Sequence, residues 1–112
     1  MALSNTTVTT TSTGTLLLGP IPTDKTYAVV VMFFTNSSAS AETLSVYAYP
    51  DASALTGTPA TDNKNLLIKD LSIEGSDTFT FNAEKLLIDD GDSIIAVSSG
   101  GNIQAVLSYT EI

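Results

Sequence analysis

The sequence predicts an all-β, single-domain antiparallel sandwich or barrel of about eight strands. Three observations lead there. The chain has 112 residues, 43% hydrophobic and only 14% charged, with a polar remainder made largely of Ser and Thr; Thr, Val, Ile, Tyr and Phe fit a pleated surface better than a helix. Short runs of these residues alternate with Gly, Pro, Asn, Asp and Ser punctuation, the pattern of many strands joined by turns. No segment sustains a helical period. The length suits one core rather than two.

The first fourteen residues, MALSNTTVTTTSTG, are read as a Thr/Ser-rich arm preceding a sandwich domain at 15–112. Such a composition alone resembles a flexible tail. Two arrangements fit it: an arm that pairs with a neighbouring surface, with Thr6, Thr7, Val8, Thr9 and Thr10 as the contacting residues, or an arm folded on its own domain.

Strands are predicted at 15–18, 27–36, 42–49, 66–73, 77–81, 86–88, 93–98 and 103–111. Gly19-Pro20-Ile21-Pro22 ends the first of these because its prolines lack ladder N–H groups. Asn36-Ser37-Ser38-Ala39-Ser40 is a polar connection. The stretch 50–65 is longer than an ordinary strand connection, so it is expected to serve a function or contact a partner, with a helical turn at 51–54.

Alternation identifies buried faces. In 42–49, Leu44, Val46 and Ala48 face one way and Ser45, Tyr47 and Tyr49 the other; in 77–81, Phe79 and Phe81 oppose Thr78 and Thr80. Two strands are apolar on both faces. In 27–34, Tyr27, Val29, Val31 and Phe33 lie opposite Ala28, Val30, Met32 and Phe34, and in 93–98, Ile95 and Val97 lie opposite Ile94 and Ala96. A second apolar face must be covered by more of the same chain or by another subunit. We favour a subunit, which makes Val29, Val31, Phe33, Ile95 and Val97 the expected interface.

Charge and composition exclude several functions. Twelve acidic residues against four lysines, with no Arg or His, give a net charge of −8, which repels nucleic-acid backbones and anionic lipid. Cysteine is absent, removing disulfides, thiolate nucleophiles and zinc–sulfur sites. The longest apolar run, 27–34, falls far short of the ~20 residues of a membrane helix. MALSNTT resembles no secretory signal.

The residues that remain offer little chemistry. Asp89-Asp90-Gly91-Asp92 does not match a calcium loop, since Gly91 and Ser93 would occupy ligand positions. It is read as a hairpin turn, with a cation site at Asp89, Asp90 and Asp92 as the lesser alternative. Adjacent carboxylates at a turn lack the cleft that acid–base pairs need. Gly100-Gly101-Asn102 lacks the lysine and helix of a phosphate loop and is also read as a hairpin. Tyr47 and Tyr49, on one strand face, are the candidate platform for stacking on a sugar. No catalytic residue, metal or cofactor is expected.

The stretches GPIPTDKTYAVVVMFFTNSSASAETLSVYAYP, NLLIKDLSIEGSDTFTFN and KLLIDDGDSIIAVSSGGNIQAVLSYTEI together resemble small bacteriophage virion proteins. The shared pattern is a Pro-containing turn, a long apolar strand ending in an Asn-Ser loop, a Tyr-containing strand, and an Asp-Gly-Asp turn before the last two strands. It covers about residues 15–112, with Ser76-Asp77 standing where the group often has Gly-Asp. The resemblance implies a jelly-roll-like sandwich acting as a non-enzymatic capsid decoration (cement) protein on the outer surface of the particle, made in the host cytoplasm. It implies a homotrimer bound to the major capsid protein or other virion proteins, with a tail, baseplate or fibre component as the alternative. A carbohydrate-binding module is the reading from a different class.

Overall fold

In the computed structural model, residues 2–50 and 61–112 are described, those at 83–85 for their backbone alone. The expectations for 51–60, including the helical turn at 51–54, fall outside the described residues. The strands are β1 (Ala2–Val8), β2 (Thr15–Leu18), β3 (Thr26–Asn36), β4 (Glu42–Tyr49), β5 (Leu66–Ile73), β6 (Thr78–Asp89), β7 (Ser93–Ser98) and β8 (Ile103–Glu111). A 3-10 turn, Asn63–Asn65, precedes β5, capped by the Asp62 side chain accepting from the Lys64 N–H.

The strands form two four-stranded antiparallel sheets, ordered β1-β8-β3-β6 and β2-β7-β4-β5. β1 pairs with β8, β2 with β7, β3 with β6 and β4 with β5. The chain is thus one long hairpin rolled into two layers, the topology of a jelly roll. The inner faces bury Met32, Phe34, Leu44, Val46, Ile94 and Leu107 almost completely, each worth roughly 1.5–3 kcal/mol of transfer free energy.

Two sequence expectations are corrected, and one left open is decided. Of the two arrangements open to the N-terminal segment, the structure has the one folded on its own domain: β1 holds seven residues in continuous register with β8, and Val8 is fully buried in the core. The predicted strands 77–81 and 86–88 are one strand, β6, with its pairing to β3 irregular between Asn82 and Leu86. The turns at 89–92 and 100–102 are not hairpins, because β6 and β8 lie in one sheet and β7 in the other. Turn residues satisfy the local backbone, whereas long-range pairing decides which sheet the next strand joins.

The register change in β3 explains another difference. Val29 pairs with Tyr109 but Val31 with Ser108, so two residues of β3 are passed for one of β8. Such a bulge flips the alternation. Val29 therefore shares the inner face with Met32 and Phe34, although simple counting puts them on opposite faces.

Candidate interaction surface

The outer face of sheet β1-β8-β3-β6 is built from residues in register across the strands. Its first row is Thr7, Gln104, Thr35 and Thr78, and its second is Asn5, Val106, Phe33 and Thr80. Leu3, Ser108, Val31 and Asn82 make the third, and Thr110, Ala28 and Leu87 the fourth. None of these residues is charged. Asp89 lies at the margin and accepts a hydrogen bond from Thr26 Oγ1 at 2.6 Å.

The first row is laced by hydroxyl bonds: Thr7 Oγ1 donates to Gln104 Oε1 at 2.6 Å, and the Thr35 and Thr78 hydroxyls lie 2.8 Å apart. The other rows carry apolar groups open to solvent. Leu3 is 70% exposed, Leu87 57% and Phe33 39%, with Val31 and Val106 half-buried beside them. A sheet face that carries exposed apolar side chains among uncharged polar ones, with no charge in these rows among the described residues, is on so acidic a chain a surface suited to contact.

The structure divides the five residues expected at an interface. Val31 and Phe33 belong to this face, but Val29 is fully buried in the core. Ile95 and Val97 pair with Tyr47 and Ser45 on the outer face of the other sheet, so they cannot share a contact with Phe33. Ile95 is moreover covered by its own chain. Gly14 lies so close to its Cγ2 that any Cβ there would collide, and Thr61 packs beside both, its hydroxyl donating to Ser12 O at 3.0 Å. Leu3, Val106 and Leu87 were missed by sequence reasoning, although their alternation with Ser4, Leu107 and Ile88 would have placed them outward once the inner face was known.

Of the residues assigned to a contacting arm, Thr6 and Thr7 lie in β1 and Val8 is in the core. Thr9 and Thr10 enter the turn to β2, where the Thr9 N–H donates to Thr15 Oγ1 at 2.9 Å. Tyr47 and Tyr49 are half-buried on the outer face of β4. A nearby apolar recess of about 130 Å³ is lined by Ala48, Tyr49, Leu86 and Ile88 among others, smaller than the ~300 Å³ at which ligand pockets commonly begin.

Asp89-Asp90-Gly91-Asp92 forms a tight corner between the sheets. Asp92 N–H donates to Asp89 O, and Asp89 N–H to Asp92 Oδ2, both at 2.9 Å. Gly91, at φ 83°, supplies the left-handed backbone, and its N–H donates to Ile21 O. Two of the three carboxylates thus hold backbone or hydroxyl groups. Among the described residues, no group of three or more Asp or Glu is placed to hold a metal ion.

Among the described residues the carboxylate with the most developed environment is Glu42, which sequence reasoning did not single out. It is buried, and it grips the β7–β8 corner: Asn102 Nδ2 donates to Oε2 at 2.7 Å and Asn102 N–H to Oε1 at 3.1 Å. The Asn102 side-chain amide is the main reason its carboxyl is held below the usual carboxylate range; burial opposes this, and the Asn102 N–H, Ser38 side chain and Gly100 backbone add to the lowering. A lowered folded-state pKa contributes stability above the unfolded value, near pH ~4.3, that is lost as pH falls through the folded value. Glu42→Gln is therefore expected to be less stable than wild type at pH 7, with the gap closing as pH falls below that range. Urea midpoints at a series of pH values measure it; a gap independent of pH would contradict the assignment.

Comparison of the chain with protein-family models, curated proteins and solved structures found no match.

Proposed function

We propose that the chain is a non-enzymatic structural protein of a phage virion, a decoration protein held on the outer surface of the shell. One observation carries this reading. A jelly roll with net charge −8 leaves four rows of one outer face without charge among the described residues and with Leu3, Val31, Phe33, Val106 and Leu87 open or half-open. Burying that face against the major capsid protein gains roughly 25 cal/mol per Å² of apolar area before association costs. The acidic remainder faces solvent and keeps neighbouring particles apart.

The test uses capsids lacking the protein. Wild type is expected to rebind, and Phe33→Asp with Leu87→Asp to weaken binding at least about tenfold by placing carboxylates in a desolvated contact, with the circular dichroism spectrum unchanged because both side chains are exposed. Light scattering counts the copies that gather. A protein that ignores capsids but labels tails in electron micrographs would move it to the tail, baseplate or fibre, where the same sandwich serves equally. The half-buried pair Tyr47 and Tyr49 favours a second reading, a carbohydrate-binding module. Retention on a glycan array, lost in Tyr47→Ala, would support it.

A further inference from the structure

We propose that β1 is a strand-pairing site for a second copy of this chain, whose own β1 adds antiparallel across a two-fold axis at Asn5. The sheets β1-β8-β3-β6 of both copies then become one sheet of eight strands.

A free sheet edge presents unpaired N–H and C=O groups, and folded proteins blunt such edges with short strands, bulges, charges or proline. Three of the four edges here are blunted in these ways. β2 has only four residues and shifts register between Leu16 and Leu18. β5 shifts register twice along β4, carries Lys69 and Asp70, and turns through a positive φ of 48° at Asp70, whose N–H is tied to Ser45 Oγ. The pairing of β6 is irregular between Asn82 and Leu86, and the strand contains Glu84 and Lys85.

β1 has none of these devices. Its seven residues, ALSNTTV, include no charge, proline or glycine, and they run beside β8 without a register shift. Leu3, Asn5 and Thr7 are exposed.

Charge argues that the occupant is a second copy. A chain of net charge −8 can meet itself only where its own carboxylates are not brought together. β5 and β6 both contain ionisable residues at their edges, whereas β1 and the four outer-face rows beside it contain none among the described residues. Pairing centred on Asn5 sets Leu3 of each copy opposite Thr7 of the other and Asn5 opposite Asn5, all on the outer face, at cross-strand distances of about 4.5–5.5 Å. The charge-free face is thereby doubled in width. An isologous contact of this kind closes as a dimer, in place of the trimer the resemblance implies.

Light scattering over a dilution series is the test. Wild type is expected at twice the 11.7 kDa of one chain. Asn5→Lys and Asn5→Glu each set like charges face to face, weakening self-association roughly a hundredfold, while an equimolar mixture of the two recovers a mixed dimer by native mass spectrometry. Equal melting temperatures at a dilution where wild type is also monomeric show that neither substitution acts through the fold. A monomer at about 100 µM, the concentration of a weak complex, a trimer, or a dimer indifferent to both charges would overturn the proposal. A dimer with this behaviour that ignores capsids supports it and counts only against the virion reading.

Discussion

Phe34→Ala is expected to cost about 3–5 kcal/mol, a large part of the roughly 5–15 kcal/mol by which a domain of this size is stable. Phe34 is fully buried on the inner face of β3, in register with Phe79 of β6 on one side and Ala105 of β8 on the other. Ala105, its small register partner, is itself buried. Removing the Phe34 ring leaves a cavity that strands held by ladders on both sides cannot close, so the lost transfer energy and the lost dispersion contacts add.

Phe33 is the control for this prediction. It is the adjacent residue, chemically identical, and points out of the other side of the sheet at 39% exposure. Phe33→Ala is expected to cost only about 1–2 kcal/mol, because more than a third of its surface is already open to water and its removal leaves no enclosed cavity. Urea titrations of the two variants measure the difference directly. Equal losses would mean that the face of β3 has been misassigned or that Phe33 is buried by association, and repeating the titration at low protein concentration separates these.

The contrast between Phe33 and Phe34 also marks what was legible in the sequence. Strand bounds at 15–18, 42–49, 66–73, 93–98 and 103–111 coincide with β2, β4, β5, β7 and β8, because β-branched runs and turn residues are local signals. Faces were harder to read. In β4, a simple period of two correctly sends Leu44 and Val46 inward, but in β3 the bulge between Val29 and Val31 reverses the period halfway along. A bulge arises from the partner strand's register, which the residues of β3 alone do not encode. The same reason hid β1: Thr-rich segments are polar enough for a tail, and only β8 makes Ala2–Val8 a strand. Candidate contact residues depend on faces, so they inherited these errors. Val31 and Phe33 lie beyond the bulge on the outer side, while Val29, before it, is in the core.

Asn36→Ala is expected to lose about 2–4 kcal/mol and to lower the melting temperature by roughly 10–15 °C. Asn36 ends β3 where the chain leaves one sheet for the other, and it is completely buried. Its Nδ2 donates to Ser40 O at 2.8 Å and Ile73 O at 2.9 Å, while Oδ1 accepts from Ser38 N–H at 2.9 Å and Ser38 Oγ at 2.8 Å. One side chain thus binds the loop it opens to the end of β5, and its backbone N–H donates to Asp77 O across the same end. Alanine takes a partner from the buried Ile73 carbonyl and from the part-buried Ser38 N–H, while Ser40 O keeps its bond from Ser38 Oγ, and each unsatisfied group costs about 1–3 kcal/mol. Asn36→Asp tests the donors separately. The carboxylate keeps the two acceptor bonds from Ser38 but sets negative charge against the carbonyls of Ser40 and Ile73, so burial and those oxygens raise its folded-state pKa above the unfolded one. By linkage the variant is least stable at neutral pH and regains stability relative to wild type as pH falls through the raised value, opposite in sense to the acid loss expected from Glu42. Thermal unfolding of both Asn36 variants between pH 4 and pH 8 reads this out, and an Asn36→Asp protein insensitive to pH would show that the two carbonyls take no part in holding the corner.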